Sequence, residues 1–160
     1  MKEISAQVDL RGQRFAIVAS RFNDFIVDKL VAGARSRLVE LGAQDGNLDL
    51  FRVPGAFEIP AMATRLAAAG DHAAIVCLGA VIRGATPHFD YVAGEAARGI
   101  AETARTQEIP VIFGVLTTDS VEQAMERAVP GTGNKGAEAA TAAVQMLELH
   151  AGIAATRAKK

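Results

Sequence analysis

The stretch "AAIVCLGAVI", Ala73 to Ile82, running straight into "RGATPHFDYV", Arg83 to Val92, decides the fold. An apolar run of that length, rich in branched side chains and opening after the "AAAGDH" turn, reads as a fully buried strand. Such strands belong to the middle of parallel sheets covered by helices on both faces. Residues just past the carboxyl end of a strand in such a sheet face the crevice where ligands bind. Arg83, Gly84, Ala85, Thr86, Pro87 and His88 therefore stand where an α/β protein places its chemistry.

Working outward, strands and helices alternate. "RFAIVAS" (Arg14–Ser20) is a short apolar strand, and from Asp24 to Leu41 the apolar positions Val27, Leu30, Val31, Ala34, Leu38 and Leu41 recur at helical spacing. Gly42 ends that helix. "LDLFRV" (Leu48–Val53) is the second strand, and Pro60 suits the first turn of a helix running to about Ala69. The third strand is followed by a helix over Tyr91–Gln107 and a fourth strand, "VIFGVL" (Val111–Leu116). Ser120 with Gln123 has the capping-box pattern and opens a fourth helix; a last one spans roughly Asn134 to His150. This order predicts an α/β fold, a three-layer α/β/α sandwich with a four-stranded parallel sheet. It predicts a single domain over residues 1–160, with an N-terminal arm at 1–13 and a frayed tail at 152–160. The small-residue segments "GEAARGIAETA" and "GAEAATAAV" fit either tight packing within the domain or a subunit interface.

Bulk properties exclude several classes. Lys and Arg number 17 and Asp and Glu 18, a net charge of -1 that gives no electrostatic case for nucleic acid or an anionic membrane. No apolar stretch approaches a membrane span, and "MKEISAQVDL" lacks the apolar segment of a signal peptide. The single cysteine, Cys77, lies inside the buried run and reads as a small core residue. A cytoplasmic globular protein is expected.

Parallel strands bring their carboxyl ends to one edge, so four short polar segments meet there: Arg21-Phe22-Asn23, Pro54 to Glu58, Arg83 to His88, and Thr117-Thr118-Asp119. Phe22, Asn23, Phe57 and Glu58 suit a stacked aromatic ligand bearing hydroxyls. Gly84-Ala85-Thr86 offers free amides and a hydroxyl just before a helix, an arrangement that favours phosphate. Taken alone, a short loop of this composition is commonly just a turn. His72 and His150 sit in plain turn and helix-end contexts, whereas His88 is at a strand's carboxyl end, suited to proton transfer. "GTGNKG" (Gly131–Gly136) lacks a preceding strand and the Walker spacing, and no GxGxxG follows the first strand, so neither a nucleoside triphosphate nor a dinucleotide is expected. No His/Cys/Asp set has metal-ligand spacing.

"SRFN", "VPGAFEIP", "GAVIRGATPHFDYV", "FGVLTTDS", "QAMERA" and "GNKGAEAA", in this order from Arg14 to about Leu149, resemble the lumazine synthases of riboflavin biosynthesis. The resemblance implies a flavodoxin-like fold and a transferase. It would condense 5-amino-6-(D-ribitylamino)uracil with 3,4-dihydroxy-2-butanone 4-phosphate, giving 6,7-dimethyl-8-ribityllumazine, phosphate and water without cofactor or metal. It implies that Phe22 stacks on the pyrimidine, that Asn23 and Glu58 hold ribityl hydroxyls, and that Ala56, Phe57, Val81 and Ile82 line the heterocycle. Gly84, Ala85 and Thr86 would cradle the phosphate, and His88 would shuttle protons. Phe113, Arg127 and Lys135 would enter the site from a neighbouring subunit, with Glu138 holding Arg127. The resemblance further implies a homo-oligomer with active sites between adjacent subunits, pentamers that stay separate or join into a sixty-subunit shell. Riboflavin synthase is its candidate partner. The linker "AVPGTGNKG" keeps the length found in shell-forming relatives but not their "GTKAG" wording, and Pro87 occupies a variable position of the histidine motif. A flavin- or phosphate-binding module and a scaffold with a disused pocket are the alternatives. His88, Arg127 and Lys135 together favour the enzyme, because a simple binder needs no proton shuttle.

Overall fold

The computed structural model describes residues 1 and 3–158. Four strands, β1 (Phe15–Ser20), β2 (Leu48–Val53), β3 (Ala74–Ile82) and β4 (Val111–Thr118), form one sheet in the order β2-β1-β3-β4. All pairs are parallel, with Phe15 beside both Leu48 and Ala74, and Ile75 beside Val111. The helices are α1 (Asp24–Glu40), α2 (Ile59–Ala69), α3 (His88–Thr106), α4 (Val121–Glu126) and α5 (Lys135–Arg157). The α/β sandwich expected from the alternation is what the chain forms.

The two-residue period of β3 shows why. Ala74, Val76, Leu78 and Ala80 face one core, shared with Leu30, Ala34 and Leu38 of α1 and Ala139, Ala140 and Ala143 of α5. Ile75, Cys77 and Val81 face the other, shared with Ile59 and Ala63 of α2 and Ala96 and Ile100 of α3. A strand apolar at every position is stable only when both faces are covered, and β3 is buried from Ala74 to Val81. Burial pushes the Cys77 thiol up to about 12, so it is a packing residue.

The amino-terminal edge of the sheet is tied shut. His72, which reads as a turn residue, is buried, with Nε2 2.9 Å from Asp49 Oδ2 and its ring edge-on to Phe51. Arg14 Nη2 donates to the same Oδ2 at 2.5 Å. The hydrogen bond with His72, and after it that from Arg14, hold the Asp49 carboxyl below the usual carboxylate range.

Three boundaries differ from the sequence expectation by two residues or more. α3 begins at His88 rather than Tyr91, because Pro87, at φ -63°, already has the helical angle and needs no side-chain cap. β4 continues through Thr118, whose carbonyl accepts from the Arg83 amide at 2.8 Å. α5 runs to Arg157, well past His150, because the N-terminal arm lies against it: a β-carbon at Gly152 would stand 3.1 Å from Ile4 Cγ2. Residues 152–157 are therefore helix rather than frayed tail, and 159–160 lie outside the described residues.

Candidate active site

The carboxyl ends of the strands open a cleft where the connections of β1 and β3 leave in opposite directions, the usual ligand position of an open α/β sheet. Backbone bonds join the exits of β1 and β2: the Arg21 amide donates to Val53 O at 2.8 Å and the Phe22 amide to Pro54 O at 3.1 Å. That leaves the Phe22 ring 73% exposed on the rim. Asn23 follows in the left-handed region, at φ 60°, which asparagine tolerates better than most residues. Its side chain does not cap α1; Nδ2 donates to Ala80 O of β3 at 2.8 Å. One asparagine thus turns the chain into α1 and pins that turn across the crevice, leaving its Oδ1 for another partner.

Beyond β2, a 3-10 turn at Ala56–Glu58 leads into α2. The Glu58 carboxylate folds back so that Oε2 accepts from the Gly55 amide at 2.9 Å, and Phe57 is exposed beside it. Beyond β3, the amides of Gly84, Ala85 and Thr86 make no hydrogen bond within the chain among the described residues. They lie just ahead of the α3 amino terminus, whose dipole favours negative charge. His88 is the first residue of that helix, with an exposed side chain.

Phe22, Asn23, Ala56, Phe57, Glu58, Val81, Ile82, Gly84, Thr86 and His88 all line this one cleft of about 670 Å³. Ala85 lies in the loop between Gly84 and Thr86. The volume falls within the roughly 300–1,000 Å³ range of small-molecule sites. Tyr91 and Val92 also line it and went unremarked in the sequence. The signal was their spacing: three and four residues after His88, they share its helix face. A larger hollow of about 960 Å³ lies between α1, residues 130–134 and the start of α5. It is away from the strand ends, and its walls mix charges of both signs, Asp28 and Glu40 with Lys29 and Arg37.

The structure does not bring the remaining expected residues to the cleft. Phe113, Arg127, Lys135 and Glu138 line a separate concavity of about 450 Å³ on the face of the edge strand β4. The Lys135 amide donates to Arg127 O at 2.9 Å, which sets the two basic residues side by side. Glu138 does not hold Arg127 here: its Oε2 is 2.6 Å from Lys135 Nζ, a one-turn pair at the start of α5. The Arg127 guanidinium instead donates from Nη1 to Gln123 O at 2.9 Å and lies 3.8 Å from Glu126.

Among the described residues, no group of three or more His, Cys, Asp and Glu is placed to hold a metal ion, and no helix is long and apolar enough to cross a membrane. Comparison with known proteins gives one consistent family. The profile described as 6,7-dimethyl-8-ribityllumazine synthase matches residues 12–151. A 6,7-dimethyl-8-ribityllumazine synthase of Desulfosudis oleivorans is 55% identical over 148 residues, covering 92% of this chain and 94% of that protein. Those of Nitratidesulfovibrio vulgaris (strain Miyazaki F) and Desulfatibacillum aliphaticivorans are 52% and 51% identical, over 93% and 91% of this chain and 96% and 94% of their own. With a match that runs from ahead of β1 into the last helix, the chain belongs to the 6,7-dimethyl-8-ribityllumazine synthase family.

Proposed function

We propose that the protein condenses 5-amino-6-(D-ribitylamino)uracil with 3,4-dihydroxy-2-butanone 4-phosphate to form 6,7-dimethyl-8-ribityllumazine, acting in the cytoplasm as a homo-oligomer built from pentamers. The observation that carries the reading is the strand-end cleft: an aromatic rim, Phe22 and Phe57, beside a loop of unpaired amides and one histidine. The rings suit a flat heterocycle, Asn23 Oδ1 and Glu58 suit ribityl hydroxyls, and the Gly84–Thr86 loop suits a phosphate. Phe113, Arg127 and Lys135 complete the site from the adjacent subunit's β4 face. The guanidinium fork of Arg127 matches two phosphate oxygens. A pentamer free or joined into a shell, and an encounter with riboflavin synthase, both accord with this reading.

The chemistry needs proton traffic more than a strong nucleophile. The free amine attacks the ketone and loses water as an imine. Loss of a proton from the adjacent hydroxyl-bearing carbon then expels phosphate and leaves an enol. Proton transfer to its terminal carbon gives a methyl ketone, and the ribitylamino nitrogen closes on that carbonyl with loss of a second water. An imidazole suits each transfer near neutral pH. Holding the two reactants together lowers the barrier by up to roughly 7–11 kcal/mol. Incubating the purified protein with both substrates should produce lumazine absorbance; none from a correctly assembled sample would end the proposal.

Two substitutions separate the roles. His88→Ala should lower kcat by about 10², the low end for a positioned proton carrier because water substitutes in part, with both KM values little changed. An unaltered kcat would make the imidazole structural. Arg127→Ala should raise KM for the butanone phosphate about ten- to a hundredfold and spare the pyrimidine, since a charge-assisted bidentate contact is worth about 1.5–3 kcal/mol. Equal KM values in variant and parent would remove Arg127 from the site.

A further inference from the structure

Arg83 is the first residue past β3, and none of the roles above uses its side chain. The guanidinium makes three contacts. Nε donates to Asp119 Oδ1 at 2.8 Å, Nη1 lies 3.5 Å from Asp90 Oδ1, and Cζ sits 4.2 Å from the centre of the Phe89 ring. Asp119 directly follows β4, while Phe89 and Asp90 come immediately after His88 in the first turn of α3. The side chain therefore spans the Gly84–Pro87 loop, from the end of the sheet to the helix turn that carries the histidine. The loop does little to hold itself: among the described residues, its one backbone bond toward the helix is Asp90 N to Pro87 O at 3.0 Å.

We propose that Arg83 is a positioning residue: by joining Asp119 behind β4 to Phe89 and Asp90, it fixes the first turn of α3 and with it the His88 imidazole over the cleft. This rests on the reading of His88 as the proton carrier. Two carboxylates already face the guanidinium, so its charge is spent within the chain rather than offered to a substrate phosphate. Lysine cannot replace it, because a point charge neither spans two acceptors in a plane nor stacks on a ring. The side chain is 48% exposed, and ion pairs this open add little to stability. Its loss should therefore register in catalysis and hardly in folding.

The test compares Arg83→Ala, Arg83→Lys and the double variant Arg83→Ala/His88→Ala with the parent in the two-substrate assay. Thermal unfolding and hydrogen exchange of the 88–92 amides are measured on the same samples. Arg83→Ala should lower kcat about ten- to a hundredfold, as expected when a catalytic group drifts by about an ångström. Both KM values should stay within about twofold, Tm should hardly move, and exchange in the first turn of α3 should quicken. Arg83→Lys should recover little. In the His88→Ala background the same change should cost nothing more, since two residues acting through one group are not additive. An additive loss in the double variant would overturn the proposal. So would a raised KM for the phosphate substrate at constant kcat, which would put Arg83 on the substrate. An inactive parent would count against the proposed reaction, and the exchange data would still decide Arg83: unchanged exchange at 88–92 refutes the brace.

Discussion

Gly136→Ala is expected to lower the stability of the folded chain by about 2 kcal/mol or more, and Gly136→Val to abolish soluble protein. Gly136 is buried in the first turn of α5, where that helix crosses α1. A β-carbon there would stand 2.7 Å from the Leu30 carbonyl carbon and 2.9 Å from its Cα. These are main-chain atoms of α1 and cannot rotate away, unlike the end of a flexible side chain. The crossing is equally tight one turn along, where a β-carbon at Gly33 would stand 2.5 Å from Asn134 Cγ. Overpacking of this kind costs typically 1–3 kcal/mol and sometimes more, and a clash between two backbones belongs at the upper end. Alanine returns about 1 kcal/mol of helix propensity, so the clash wins by about 2. For a domain of this size that is a Tm fall of roughly 4–8 °C, readable by calorimetry. A Tm equal to the parent's would show that α5 can shift without cost.

The same crossing marks where the sequence stopped being legible. β3 was readable because a buried strand is apolar at every position, and all four strand ends could be placed on one edge because parallel pairing dictates it. Every residue expected at the cleft from Phe22 to His88 belongs to one of those ends, so local sequence carried the placement. Asn134 was different. In "GTGNKG" it reads only as the start of the last helix, yet it is 1% exposed. Its Nδ2 donates to Ala128 O at 2.8 Å and to Lys29 O and Val129 O at 3.2 Å, while Oδ1 accepts from the Ala137 amide. That peg ties the linker to α1, about a hundred residues earlier, and nothing local announces it. Glu138, which the resemblance pairs with Arg127, has its Oε2 2.6 Å from Lys135 Nζ one turn away on the same helix. Half of the expected capping box also changed partner. Ser120 Oγ accepts from the Gln123 amide at 3.2 Å, but Gln123 Oε1 takes the Asp119 amide at 2.9 Å rather than that of Ser120.

Mixing two crippled variants should regenerate activity that neither has. In one chain, Phe22 and His88 line the strand-end cleft, while Phe113, Arg127 and Lys135 line the concavity on β4, so neither surface alone holds the whole set. β4 is an edge strand and Phe113 on it is 45% exposed, a large apolar side chain placed where a neighbour could take it up. If one subunit's β4 face closes the next subunit's cleft around a ring, each site takes its histidine from one chain and its arginine from another. An Arg127→Ala subunit still offers a sound cleft, and an His88→Ala subunit still offers a sound β4 face. After dissociation and reassembly of an equal mixture, the first meets the second in the right order at about one interface in four of a cyclic assembly. Those sites are wild type. The mixture should then show about a quarter of the parent's turnover at low phosphate substrate, where the His88→Ala protein alone retains about a hundredth. Arg127→Ala alone is held back there by its weakened phosphate contact. Refolding each variant separately and then combining them supplies the control, because no mixed interfaces form. Turnover in the reassembled mixture no higher than in that control would mean that each chain builds its own site, and Phe113, Arg127 and Lys135 would have to be struck from it.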